Sequence, residues 1–529
     1  MVLQQGMSLP IWGQADPGEE ISVRFAGQSV STKADARGMW RVNLQSVALT
    51  KTPEVLIVDG QNHLIFSDVL VGDVWLCGGG PNMALPLIDS YHGQSIMDQA
   101  NDSELRFFIV KPTTALQPQK KIVGEWQRCT PESAAHFSAV GYFFGGDLRK
   151  VTQMPIGLVG SYDEEAPLQA WISLEALKVP PSFSRYLADY ATVLQNLPAA
   201  IAAYPQRLTA YQAALAAWSE RVEIPYQKEW AVWKIACDQA RLKLQAQPLK
   251  PQLAEPRPEA PPLPDGGRQL PTVLFNGMIA PLIPYAIAGV IWYQGESNEK
   301  GAAFEYRRLF PRLIRSWRAA WGEGPFPFYF VSLAAHGKAS SGAMEPMIDE
   351  EGNINASWSW VREGQAAALT LPETGMIVTT DLGDPYDITP SYKLDVGRRL
   401  GLLARKNVYG EKIIASGPRY RSMKQEGPKI RVFFDEVGTG LTIGAPPWSY
   451  NDQNSLSCAL RGFAIAGADR HWEEATARIE GNSIVVANDH IEQPGAVRYN
   501  WKNNPSGNLY NKEGLPAAPF RTDTDQPLN

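Results

Sequence analysis

One short stretch, Ala286 to Asn298, constrains the fold more than any other. Ala286-Ile287-Ala288-Gly289-Val290-Ile291-Trp292 is apolar, and Gln294, Glu296, Ser297 and Asn298 follow at once around Gly295. A continuous apolar run is what a parallel strand covered on both faces requires. A strand that ends in a polar, glycine-bearing turn is where open α/β sheets place their sites. The chain must therefore supply further buried strands and covering helices.

It does so from residue 69 onward. Val69 to Cys77 is a second largely apolar strand entering a glycine-rich turn. Phe326 to Leu333 and Met376 to Thr380 read as further strands. Tyr306, Leu309, Leu313, Ile314, Trp317 and Trp321 mark one helix, and Leu394 to Leu403 another. The two ends of the chain differ. Ile21 to Phe25 and Trp40 to Leu44 alternate beside the turn Ala15-Asp-Pro-Gly18, and Ile430 to Phe434 and Ser483 to Ala487 read as strands, which predicts small β-domains. Between residues 183 and 246 Leu208, Tyr211, Leu215, Trp218 and Val222 follow helical spacing. Trp230, Trp233, Cys237, Ala240 and Leu244 repeat it after Pro225, so two helices folded as a hairpin are expected. Seven prolines between 248 and 264 form an extended linker. The expected division is 1–68 N-terminal β-sandwich, 69–182 and 265–410 the two parts of an α/β domain, 183–264 helical insertion with linker, and 411–529 C-terminal β-domain.

At 529 residues the chain has room for about three or four domains. Its net charge of −6 gives no basic footprint for nucleic acid. No run of 18 apolar residues exists to span a membrane. Cys77, Cys129, Cys237 and Cys458 have neither zinc spacing nor a framework that assigns disulfides, so no metal or cofactor is expected. The sixteen tryptophans are assigned to cores and domain contacts. Met1 runs directly into strand-like sequence without a basic or apolar leader.

Four local motifs, in order along nearly the whole chain, resemble the sialate O-acetylesterase family of the SGNH hydrolases. They are V-L-Q-Q-G-M (Val2–Met7) with W-G-Q-A-D-P-G-E (Trp12–Glu19), G-D-V-W-L-C (Gly72–Cys77), N-G-M-I-A-P-L (Asn276–Leu282) with W-Y-Q-G-E-S-N, and N-L-Y-N-K-E-G-L-P-A-A-P-F-R-T (Asn508–Thr522). The resemblance implies an α/β fold, an SGNH-type three-layer α/β/α domain with a parallel sheet, flanked by β-sandwich-like domains. It implies acyl-ester hydrolysis on carbohydrate by a serine nucleophile, a histidine base and an aspartate that orients it. It also implies a periplasmic or extracellular compartment if a leader has been removed.

Carried over residue by residue, the machinery is incomplete. The family's nucleophile segment resembles W-L-C-S-G-Q-S-N-M, whereas Trp75 to Met83 places Pro81 at the attacking serine. Proline supplies neither hydroxyl nor amide N–H, and the nucleophile's own amide is part of the family's oxyanion hole. Loss of one such donor costs about 10²–10³ in rate. The family's D-I-H-P becomes Asp387-Ile388-Thr389-Pro390, which keeps the aspartate and replaces the base by threonine. Glu164 and Glu165 fall where the family has two glycines, and a carboxylate opposes a developing oxyanion. Gln294, Glu296 and Asn298 are retained, Asn298 as the side-chain oxyanion donor.

The expectation is a catalytically inactive homologue that retains carbohydrate binding, its ligand O-acetylated or plain. The alternative is an active esterase using displaced residues, Ser161 or Ser297 with His336 or His92. A third is a scaffold in which the β-domains and helices serve an assembly. Asp163, Glu164, Glu165, Glu296 and Asp387 together are read as solvated acidic loop chemistry.

Overall fold

In the computed structural model residues 1–179, 181–242, 248–249, 251–299, 303–337, 357–444 and 459–525 are described. They form two compact units. One comprises Met1–Ala176 with Thr272–Asn529, the other Leu177–Pro271.

The first unit is built on a mixed sheet. Its central strands lie in the order Thr374–Ile377, Phe328–Val331, Gly289–Tyr293, His63–Gly79, Ile156–Tyr162, Asp102–Ile109 and Trp126–Cys129. All neighbours pair parallel except the last two, which are antiparallel. The apolar run at Gly289–Tyr293 is fully buried because both faces are covered. The helix Tyr306–Trp321 lays its apolar stripe on that strand. Trp317 meets Trp292 edge-on at 5.5 Å, and the indole N–H of Trp317 donates to the Trp171 carbonyl at 2.8 Å. The helix Leu394–Asn407 packs on Ala139–Thr152. A Cβ on Gly397 would lie 2.5 Å from Phe143 Cβ, so the close crossing requires glycine there.

The strand His63–Gly79 crosses the boundary expected at residue 68. Its first half pairs antiparallel with Thr50–Asp59 and its second half joins the parallel sheet. Within it Asp68 has φ +61°. Arg106 and Arg128 grip its carboxylate and hold it well below the usual carboxylate range, at about 2. Ile21, Val23, Phe25, Trp40, Val42 and Leu44 fill a separate core among the N-terminal strands. The C-terminal strands Lys429–Asp435 and Ser483–Ala487 belong to a four-stranded antiparallel sheet, with a core of Ile430, Val432, Ile484 and Val486.

The second unit corrects the expected hairpin of two helices. The helix Ser184–Trp218 does not turn back before Pro225. It continues through a single π-helical turn, Ser219–Glu223, into Ile224–Leu242. Proline has no N–H to return to the preceding turn, and a widened turn just upstream absorbs the mismatch without ending the helix. What returns along it is the proline-rich segment. The Trp218 indole N–H donates to the Glu255 carbonyl at 3.2 Å, Arg221 pairs with Glu255 at 2.6 Å, and Trp233 donates to the Pro248 carbonyl at 2.9 Å. Leu244, Cys458 and the side chains of Cys237 and Ala240 lie outside the described residues. Cys77 and Cys129 are buried free thiols.

Candidate functional site

The parallel strands bring their C-terminal ends to one edge. Gly80 N donates to the Tyr293 carbonyl at 2.7 Å, and Asp163 N donates to the Gly79 carbonyl at 3.0 Å. The turns after His63–Gly79, Ile156–Tyr162 and Gly289–Tyr293 are thus tied together. Gly79 has φ +142°, and a Cβ there would lie 2.1 Å from the Tyr293 carbonyl oxygen. Only glycine fits this contact.

Pro81 is the first residue of the short helix Pro81–Ala84, a position where a proline's missing N–H disturbs no helical bond. It is only partly buried. Thr389 stands in an exposed turn and donates both its backbone N–H and its hydroxyl to Asp387 Oδ1, at 2.9 and 3.0 Å. Asp387 is therefore occupied by the residue expected at the base position. Glu164 and Glu165 are exposed, and the Glu165 and Ala166 amides donate to Asp163 Oδ1, each at 3.1 Å.

The retained residues form the floor. Tyr306 donates its hydroxyl to Gln294 Oε1 at 2.9 Å, and Gln294 Nε2 donates to Asn298 Oδ1 at 2.9 Å. Asn298 Oδ1 also accepts from Leu168 N at 2.8 Å, and Asn298 Nδ2 donates to Gln169 Oε1 at 3.2 Å. Asn298 thus locks the turn that follows Pro167, and the N–H expected to face an oxyanion has a partner in Gln169.

Glu296 is 5% exposed, and burial raises its carboxyl pKa. Its Oε1 accepts from Asn82 Nδ2 at 2.6 Å. Its Oε2 has no partner and would lie 3.4 Å from a Cβ built on Gly80. Asn82 Nδ2 also donates to the Ile388 carbonyl at 2.8 Å. On its other side Asn82 Oδ1 accepts from Lys393 Nζ at 2.5 Å, and Lys393 donates to the Pro390 carbonyl at 2.5 Å. Burial lowers the Lys393 ammonium to about 7, opposed by the charges of Glu296 and Asp387. Neither Asn82 nor Lys393 was singled out from the sequence. Lys393 stands three residues past Pro390, where a lone lysine before a helix carries no signal of burial.

The residues considered as substitutes are not assembled. The Ser161 hydroxyl is buried without a partner. His336 packs on Trp358 and its Nδ1 lies 3.3 Å from the Asp384 carbonyl oxygen, while the His92 ring lies against that of Tyr91 at a tilt of 50°. Among the described residues no histidine ring pairs with a serine hydroxyl, and no group of three or more His, Cys, Asp or Glu could hold a metal. Among them too, no helix is long and apolar enough to cross a membrane.

A parallel sheet whose polar floor and glycine turn meet at one edge is where open α/β folds place their sites, and comparison with known proteins names the family. The family model described as carbohydrate esterase, sialic acid-specific acetylesterase, matches residues 274–402. The structure of a carbohydrate acetylesterase from Xanthomonas citri is 34% identical, covers 99% of this chain and 97% of that one, and superposes with a TM-score of 0.75. Human sialate O-acetylesterase is 27% identical over 98% of this chain and 90% of its own, and the rat enzyme 29% over 78% and 72%. The chain belongs to the sialate O-acetylesterase family.

Proposed function

We infer that this protein is a carbohydrate-binding member of its family that has lost ester hydrolysis. The observation that carries this is the pairing of Pro81 at the head of its helix with Thr389 hydrogen-bonded to Asp387. The attacking oxygen, one oxyanion donor and the imidazole are missing together, while the floor of Gln294, Glu296 and Asn298 is intact. The sheet and its covering helices are read as an SGNH-type α/β/α core, with the flanking strand regions as β-domains. The ligand class is carbohydrate, acetylated or plain, as the family implies.

Ester hydrolysis by displaced residues has no supporting geometry, since neither Ser161 nor Ser297 is paired with His336 or His92. The test is turnover of 4-nitrophenyl acetate by the purified protein. No turnover sensitive to a serine-directed inhibitor is expected, and inhibitor-sensitive hydrolysis would overturn the inference. The positive arm is the double revertant Pro81→Ser with Thr389→His, and the same pair with Glu164→Gly and Glu165→Gly. Esterase activity should appear only in a revertant.

A further inference from the structure

Two turns flank the site, one carrying position 81 and the other carrying position 389, and they are 308 positions apart in sequence. Backbone pairing holds the first in the sheet. The second is an exposed turn outside any strand, with Asp387 and Ile388 open to solvent. A buried side-chain chain reaches across to it. Asn82, one residue past position 81, donates to the Ile388 carbonyl and to Glu296, and accepts from Lys393. Lys393 in turn donates to the Pro390 carbonyl. The carbonyls on either side of Thr389 are therefore both held from beneath.

An amide side chain is nearly symmetric in shape, so its orientation is set by partners. Here the carboxylate Oε1 of Glu296 and the Ile388 carbonyl demand N–H, and the Lys393 ammonium demands oxygen. Remove the lysine and the Asn82 oxygen and the Pro390 carbonyl both lose their donor, so the amide is held from one side only. The groups that face Lys393 are Glu296, Asp387, the Asn82 amide and the ring of Tyr293, whose centroid is 5.7 Å from Nζ. None of them replaces its donor.

We propose that Lys393 is a positioning residue of this site: the N–H groups of its Nζ fix the Asn82 amide and so set the turn of position 389 against the turn of position 81. The proposal rests on the inference that these two turns flank the site, and it concerns a residue that touches neither ligand nor reacting atoms. The clamp persists although the serine and histidine it would align are gone.

Two measurements separate this proposal from the functional inference beneath it. In the unreverted chain, hydrogen exchange of the amides of residues 387–392 is compared with and without Lys393→Met. Exchange at least about tenfold faster there is expected, with the strand Gly289–Tyr293 unchanged. In the double revertant, Lys393→Met should lower kcat about tenfold or more and leave KM within about threefold, because displacement of reacting groups by ~1 Å costs on the order of 10²-fold. Should Lys393→Met fail to fold, Asn82→Ala removes the same link from the other side and carries the same expectations. A revertant with no activity would count against the functional inference, and the exchange data would still decide the clamp. Unchanged exchange at 387–392, or a revertant whose kcat survives within twofold, would overturn the proposal.

Discussion

The side-chain amide of Asn82 donates to Oε1 of Glu296 across 2.6 Å, joining turns 214 residues apart in the chain. Each residue lies in the short helical turn that follows a strand of the same sheet, and each is buried. This contact, with its continuation to Lys393, puts an ordered floor beneath the turns that carry positions 81 and 389.

Reversion should be all or nothing. The nucleophile and the base act as a unit, so a single replacement recovers little. Pro81→Ser alone restores a hydroxyl and an amide N–H at the first helical position, where that N–H is free of helical bonding. Without an imidazole the hydroxyl stays a weak nucleophile. The expected order of 4-nitrophenyl acetate hydrolysis is therefore none for the wild type or Thr389→His, near background for Pro81→Ser, and at least about 10²-fold above background for the pair. Initial rates for the four proteins check this. Equal rates in the single and double revertants would contradict it.

Lys393 should impose a pH dependence on stability. Its folded-state pKa of about 7 lies below the ordinary lysine value of 10.5. Between those values the unfolded chain binds a proton that the folded chain has released, so stability rises with pH across that window and is lost as pH falls through about 7. Glu296 works the other way. Its raised pKa means that folding loses stability as pH rises from 4.5 through the folded-state value. Urea unfolding at pH 7, 8 and 9 should show increasing stability for the wild type and a flatter profile for Lys393→Met. A wild-type profile that falls over this range would refute the assignment.

Breaking the Asp381–Arg399 pair should be severe. The two side chains are almost fully buried and bonded bidentately at 2.7 and 2.6 Å, with the Tyr510 hydroxyl also donating to Asp381. Removal of one partner leaves a buried charge without compensation, which costs about 3–5 kcal/mol. Arg399→Met should lower the Tm by several degrees, read by calorimetry. A shift under one degree would mean that the pair is not desolvated as described.

Gly79→Ala should be poorly tolerated. Its backbone has φ +142° and a methyl group would strike the Tyr293 carbonyl. Backbone strain of this kind costs about 1–3 kcal/mol before the clash is counted. The variant is expected to accumulate in the insoluble fraction, or to unfold at markedly lower urea. Wild-type stability in soluble Gly79→Ala would show that the turn can move.

Local pattern made much of the fold legible. The alternation at Ile21–Phe25 and the apolar runs at Ser483–Ala487 and Val290–Trp292 match observed strands, because burial on one face or two writes itself into period and composition. The stripe from Tyr306 to Trp321 matches an observed helix for the same reason. Pro225 misled, because a proline reads as a helix end unless a π-turn upstream makes room for it. The strand expected at Met376–Thr380 lies instead at Thr374–Ile377, since pairing with Phe328–Val331 sets its ends.

What the sequence alone determined is chemical identity: position 81 is proline and position 389 threonine, and no packing can give proline a hydroxyl or threonine an imidazole. What only the tertiary structure decided is partnership. Lys393 is an ordinary lysine until folding buries it beside Asn82, and Asn298 is a free amide until Gln169 and Leu168 take up its hydrogen-bonding groups. Hydrogen bonds between residues more than a hundred positions apart leave no local period in the chain, so they exist only once the strand ends have met.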